Sequence, residues 1–87
     1  MAWQIRFKEN LNKKLKHIDK TALKMIFSAL KELEKVENPR SKGKTLQGNL
    51  KKYWRYRVGD YRIICDIQDK ELVILVIDIG HRKDIYQ

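Results

Sequence analysis

Trp3, Ile5 and Phe7 alternate with Gln4, Arg6 and Lys8, a period of two that predicts a strand with one buried face. From Glu9 the period changes: Leu11, Leu15 and Ile18 fall at helical spacing with lysines between them, predicting a short first helix. Asp19 is placed to cap a second, longer helix in which Leu23, Ile26, Phe27, Leu30 and Leu33 recur at steps of three and four. These residues predict one apolar stripe; Lys20, Lys24, Lys31 and Lys35 with Glu32 and Glu34 take the other face, and Pro39 ends the pattern just after Asn38. The two helices read as a hairpin packed on a sheet.

Arg40 to Asn49 carries Gly43 and Gly48 among polar and basic residues and reads as a surface loop, anchored by Leu46. Trp54, Tyr56 and Val58 then alternate with Tyr53, Arg55 and Arg57, predicting a second strand with an aromatic and a cationic face. Gly59 and Asp60 form a two-residue hairpin connection, and the order Gly-Asp favours a type II′ turn. A third strand is expected from Tyr61 to about Ile67, then a polar turn over Gln68 to Glu71. The run Leu72 to Ile77 is apolar without interruption, as in a central strand buried on both faces. The expected fold is α+β, a single domain over residues 1–87: N-terminal strand, helical hairpin, then a mostly antiparallel three-stranded meander, in the order β-α-α-β-β-β.

Charge adds a partner class to this outline. The chain holds 20 Lys and Arg against 11 Asp and Glu, a formal net charge of +9, which exceeds what solubility requires and points to a polyanion or an acidic protein. Cys65 is the sole cysteine, which excludes an internal disulfide and a thiolate-rich zinc site. Its place between Ile63 and Ile67 predicts a buried structural thiol. No apolar run suits a signal peptide or a membrane span, so a soluble, cytoplasmic protein with no membrane partner is expected.

The hairpin register turns charge into a candidate site. With Gly59 and Asp60 as the loop, Val58 lies opposite Tyr61 and Arg57 directly opposite Arg62, and Arg55 adds a cation to that face. Opposed like charges destabilise a strand pair, so a scaffold without a polyanionic ligand has little reason to accept them. If Asp69 and Lys70 form the tip of the next hairpin, Arg62 pairs near Ile77, and His81 and Arg82 emerge next to Arg57 and Arg62. Gly80 lets the chain bend there, and Tyr86 either swings over the patch or staples the C-terminus to the core. Lys51, Lys52 and Lys83 flank the patch as further phosphate contacts.

The cluster is short of carboxylates, with Asp60 and Asp84 the nearest, so no magnesium site and no cofactor are expected. RNA offers a route without metal. Its 2′-hydroxyl can attack the adjacent phosphate if a base takes the proton and cations stabilise the crowded phosphorus. Arginine suits the second task, because its planar fork binds phosphate oxygens bidentately.

Leu46 to Gly48, the stretch Trp54-Arg55-Tyr56-Arg57-Val58-Gly59-Asp60-Tyr61-Arg62 and the closing Gly80-His81-Arg82-Lys83-Asp84-Ile85-Tyr86 resemble the RelE family of toxin–antitoxin toxins. With the order of elements, the resemblance covers essentially the whole chain. It implies a ribosome-dependent endoribonuclease that meets ribosomal RNA, enters the A site and cuts mRNA there, held in check by a cognate RelB-like antitoxin. By motif position, Arg55 and Arg57 take the basic pair on the second strand, Arg62 the phosphate-binding arginine, Arg82 the arginine after the glycine, and Tyr86 the tyrosine that stacks on the base. Best-known members carry lysines where this chain has Arg55 and Arg57, and arginine is a poor general base. The proton acceptor is then either His81 or a weak base in a charge-stabilised mechanism. Two other readings compete: a ParE-like toxin acting on DNA gyrase, and a non-catalytic module that binds RNA or the antitoxin.

Overall fold

A computed structural model describes residues 3–46 and 52–81. The order is β1 (Gln4–Phe7), α1 (Leu11–Lys16), α2 (Lys20–Leu33), a 3-10 turn (Pro39–Lys42), β2 (Lys44–Thr45), β3 (Trp54–Val58), β4 (Tyr61–Gln68) and β5 (Val73–His81). The strands form one sheet in the order β1-β5-β4-β3-β2, antiparallel except for the β1–β5 pair. The α+β class is as expected, and the last strand is an interior one, flanked by β1 and β4.

The second helix begins where the chain chemistry places it. The Asp19 carboxylate accepts from the Ala22 N–H at 3.2 Å, satisfying a donor that the first turn of α2 leaves open. Ile26, Leu30 and Leu33 of α2 are buried against Tyr56, Ile63, Cys65, Ile74, Val76 and Ile79 of the sheet, so the helical stripe and one sheet face share a single core. Phe27 departs from the expected stripe: it is 41% exposed at the margin of the core and meets Phe7 edge-on, 6.0 Å between ring centroids. Lys14 of α1 forms an ion pair with Asp78 of β5, pinning the first helix to that interior strand. Cys65 is fully buried, and burial pushes its thiol well above the ordinary range, as befits a structural residue. Among the described residues no helix is long and apolar enough to cross a membrane.

Residues 40–42 and 44–45 of the segment expected to be a surface loop form regular structure. Asn38 caps the 3-10 turn by accepting from Arg40 N–H at 3.1 Å, and the Tyr56 hydroxyl donates to the Pro39 carbonyl at 2.8 Å in the interior. Lys44 and Thr45 then add a short edge strand to β3, and Leu46 is buried as its anchor. Gly43 makes this approach possible: a Cβ there would stand 2.3 Å from the Arg55 carbonyl oxygen and 2.8 Å from Trp54 Cδ1. A two-residue strand has no period of its own, so the pattern along the chain could not announce it.

The β4–β5 connection also differs from expectation. Gln68 pairs with Val73, so the turn spans Asp69 to Leu72, with Leu72 at φ 54° and its N–H donating to the Asp69 carbonyl at 3.3 Å. Arg40 holds the turn through two bonds to the Asp69 carboxylate, each 2.8 Å. Further along, Ile64 pairs with Asp78 and Cys65 with Val76, which leaves Ile77 as an extra residue in β5. Arg62 therefore lies opposite Gly80, not near Ile77.

Candidate nucleic-acid interface

The β3–β4 hairpin has the expected register. Val58 pairs with Tyr61 and Arg57 with Arg62 across the Gly59-Asp60 turn. Gly59 adopts φ 58°, while among the described residues Leu72 is the one non-glycine with positive φ, as a type II′ turn requires of Asp60. Tyr56 and Ile63 face α2 in the core, so alternation sends Arg55, Arg57 and Arg62 to the opposite face of the sheet. Arg57 is exposed, and Arg55 and Arg62 are half-buried.

On that face lies an open cavity of about 390 Å³, lined by Arg55, Arg57 and Arg62 together with the chain from Ser41 to Lys44. No lining residue is a carboxylate, so the field inside is set by cationic side chains and the Ser41 hydroxyl. Such a cavity matches a phosphate group in charge and in hydrogen-bond donors. Lys42 and Arg57 also border a second, mainly apolar hollow between α2 and β3, about 350 Å³ in volume and lined by Leu33, Val36, Val58 and Ile63 among others.

His81 is placed differently from the sequence expectation. It pairs with Tyr61, and its ring meets the tyrosine ring edge-on at 5.7 Å. Direct partners share a face, so His81 stands on the Tyr61 side of the sheet and Arg62 on the other. The extra residue Ile77 and the longer turn together shift β5 by an odd number of positions, which exchanges the faces of its last residues. Lys52 is exposed before β3, its ammonium 5.0 Å over the Tyr53 ring, and does not line the cavity. Lys51, Arg82, Lys83 and Tyr86 lie outside the described residues.

A sequence model of the ParE toxin of the type II toxin–antitoxin system parDE matches residues 5–86. The chain belongs to this toxin family. No curated protein matches the toxin in sequence. Its fold is that of RelE toxins. The toxin–antitoxin complex RelBE2 from Mycobacterium tuberculosis matches with a TM-score of 0.83 at 22% identity, over 97% of this chain and 95% of that one. The RelE–RelB complex from Pyrococcus horikoshii matches with a TM-score of 0.75 at 23% identity, over 98% and 100%. The RelB–RelE complex from Methanococcus jannaschii gives 0.71 at 28% identity, over 90% and 91%. The RelE resemblance read from the motifs thus holds at the level of fold and of the superfamily that RelE and ParE toxins share.

Lys42, Lys44 and Gly43 escaped the reading of the toxin's sequence. They lie more than ten positions before Arg55, and only the pairing of β2 with β3 brings them beside it. The composition of the stretch Lys42-Gly43-Lys44 was the available signal: lysines around a glycine fit a backbone approaching another strand as well as they fit a solvated loop.

Proposed function

We propose that this toxin is an endoribonuclease that cuts mRNA in the ribosomal A site by attack of the RNA's own 2′-hydroxyl, without a metal, and that a RelB-like antitoxin neutralises it. The observation that carries the reading is the direct opposition of Arg57 and Arg62 in a carboxylate-free cavity. Their guanidinium groups would grip the non-bridging oxygens of the scissile phosphate and stabilise the extra charge that builds as the 2′-oxygen attacks. Arg55 would hold the same strand, Arg82 would complete the anion cage, Lys51, Lys52 and Lys83 would meet neighbouring phosphates, and Tyr86 would stack on the base. Neither Arg57 nor Arg62 can take the proton, because guanidinium does not deprotonate near neutral pH. His81 is the imidazole proposed to take the proton, and its place on the Tyr61 side means an RNA that uses it must run over the end of β5.

Expression with and without translation blocked, followed by mapping of mRNA 5′ ends, tests the proposal. Codon-phased ends that vanish when translation stops, and that Arg62→Ala abolishes, are expected; their absence with the wild-type toxin sinks it. The match to the ParE family supports a second reading, inhibition of DNA gyrase. A supercoiling assay separates the two, since a nuclease of this kind leaves gyrase untouched.

A further inference from the structure

β2 adds a second like-charged pair to the outer sheet face. Lys44 stands directly opposite Arg55, as Arg57 stands directly opposite Arg62, and both pairs line one cavity, which Lys42 enters from the 3-10 turn. Among the described residues, neither Lys42 nor Lys44 makes an ion pair; Glu32, Asp69 and Asp78 engage Lys35, Arg40 and Lys14 instead. Two such pairs exceed what one phosphate can use. Arg55 and Arg57 are two residues apart, roughly 6.7 Å along the strand, while partners across the ladder stand about 5 Å apart at Cβ. The spacing of the two pairs is comparable with that of successive phosphates in an extended single strand. Double-stranded RNA, whose backbone is held in a helix, fits a flat track of this kind less well.

We propose that Lys42, Lys44 and Arg55 form a second phosphate subsite, which holds the phosphate next to the one between Arg57 and Arg62 on a single RNA strand. The assignment of RNA as ligand rests on the nuclease reading, but the subsite itself is a property of binding. Gly43 positions it: the backbone approach that only glycine permits is what sets Lys44 opposite Arg55.

The test is binding of a short oligouridylate to the full-length toxin across a series of salt concentrations, read by fluorescence anisotropy. Lys44 is exposed, so Lys44→Gln keeps the fold. That variant is expected to lose about fivefold in affinity at 0.1 M salt and to reduce the slope of log K against log salt by about 0.7, while Lys44→Arg retains both. One neutral methylphosphonate linkage, walked along the oligomer, should weaken wild type at two adjacent positions and Lys44→Gln at one. An unchanged slope for Lys44→Gln overturns the subsite, even if mRNA cleavage is intact. A reduced slope with no cleavage by the wild-type toxin upholds the subsite and removes the nuclease reading. If Lys44→Gln loses affinity for poly-glutamate but not for the oligomer, the cations serve an acidic protein and the proposal fails.

Discussion

Replacing Arg57 with Gln should stabilise the isolated toxin while disabling it. Arg57 and Arg62 are direct partners on one sheet face, and two unit charges about 6 Å apart repel by about 0.7 kcal/mol in a water-like dielectric. Screening with a Debye length of about 8 Å at 0.15 M ionic strength roughly halves that figure, whereas at 0.01 M most of it survives. Arg57→Gln is therefore expected to raise stability by about 0.3 kcal/mol at physiological salt and about 0.6 kcal/mol at low salt. For a domain of this size 1 kcal/mol moves Tm by about 4–8 °C, so increments of roughly 1–2 °C and 3–4 °C follow. Arg55 and Lys42 line the same cavity and add to the relief, which makes these values lower bounds. Differential scanning calorimetry at two ionic strengths checks them, with Lys70→Gln as a control that removes a charge outside the cavity. On the nuclease reading the same variant loses about 10²–10³-fold in cleavage rate, the usual cost of one group aimed at a developing anion. A fall in Tm, or a rise that does not shrink with salt, would refute the argument that opposed charges are tolerated for the ligand's sake.

Gly43→Ala would force a Cβ against the Arg55 carbonyl, so we expect a loss of about 1–3 kcal/mol in urea denaturation; a loss of a few tenths would show that β2 can shift at little cost. Tyr56→Phe removes the buried bond to the Pro39 carbonyl and should cost about 1 kcal/mol by the same assay, and no measurable change would mean that water replaces it. Burial raises the Tyr56 phenol and the Cys65 thiol above their ordinary values of 10.0 and 9.0. The unfolded chain then sheds protons that the native state keeps, so stability present below pH 9 should fall as pH rises toward 11. Cys65→Ala should delay the onset to about pH 10, and a flat urea midpoint over this window contradicts the burial argument. The Arg40 hydrogen bonds hold the Asp69 carboxyl below its ordinary range, so its stabilising contribution is present above pH 3.8 and is lost on further acidification. Carbon-detected NMR titration should show this depression, and Arg40→Gln should abolish it; an unchanged Asp69 titration would discount the pair.

Local chemistry made much of the candidate site legible. A two-residue turn at Gly59 and Asp60 leaves the flanking strands one pairing, so the Arg57–Arg62 opposition follows from the chain itself. The helical stripe of Ile26, Leu30 and Leu33, the Asp19 cap and the buried thiol at Cys65 were likewise written in local pattern. Tertiary structure decided the rest. Leu72 to Ile77 is apolar at every position, so nothing in its pattern assigns a face to each residue, and the register of β5 is set by the Asp69–Leu72 turn and the unpaired Ile77. That choice places His81 beside Tyr61 instead of Arg62. The cations at Lys42 and Lys44 join the arginines because Gly43 lets one backbone close on another, a contact between distant segments that no periodicity along the chain encodes.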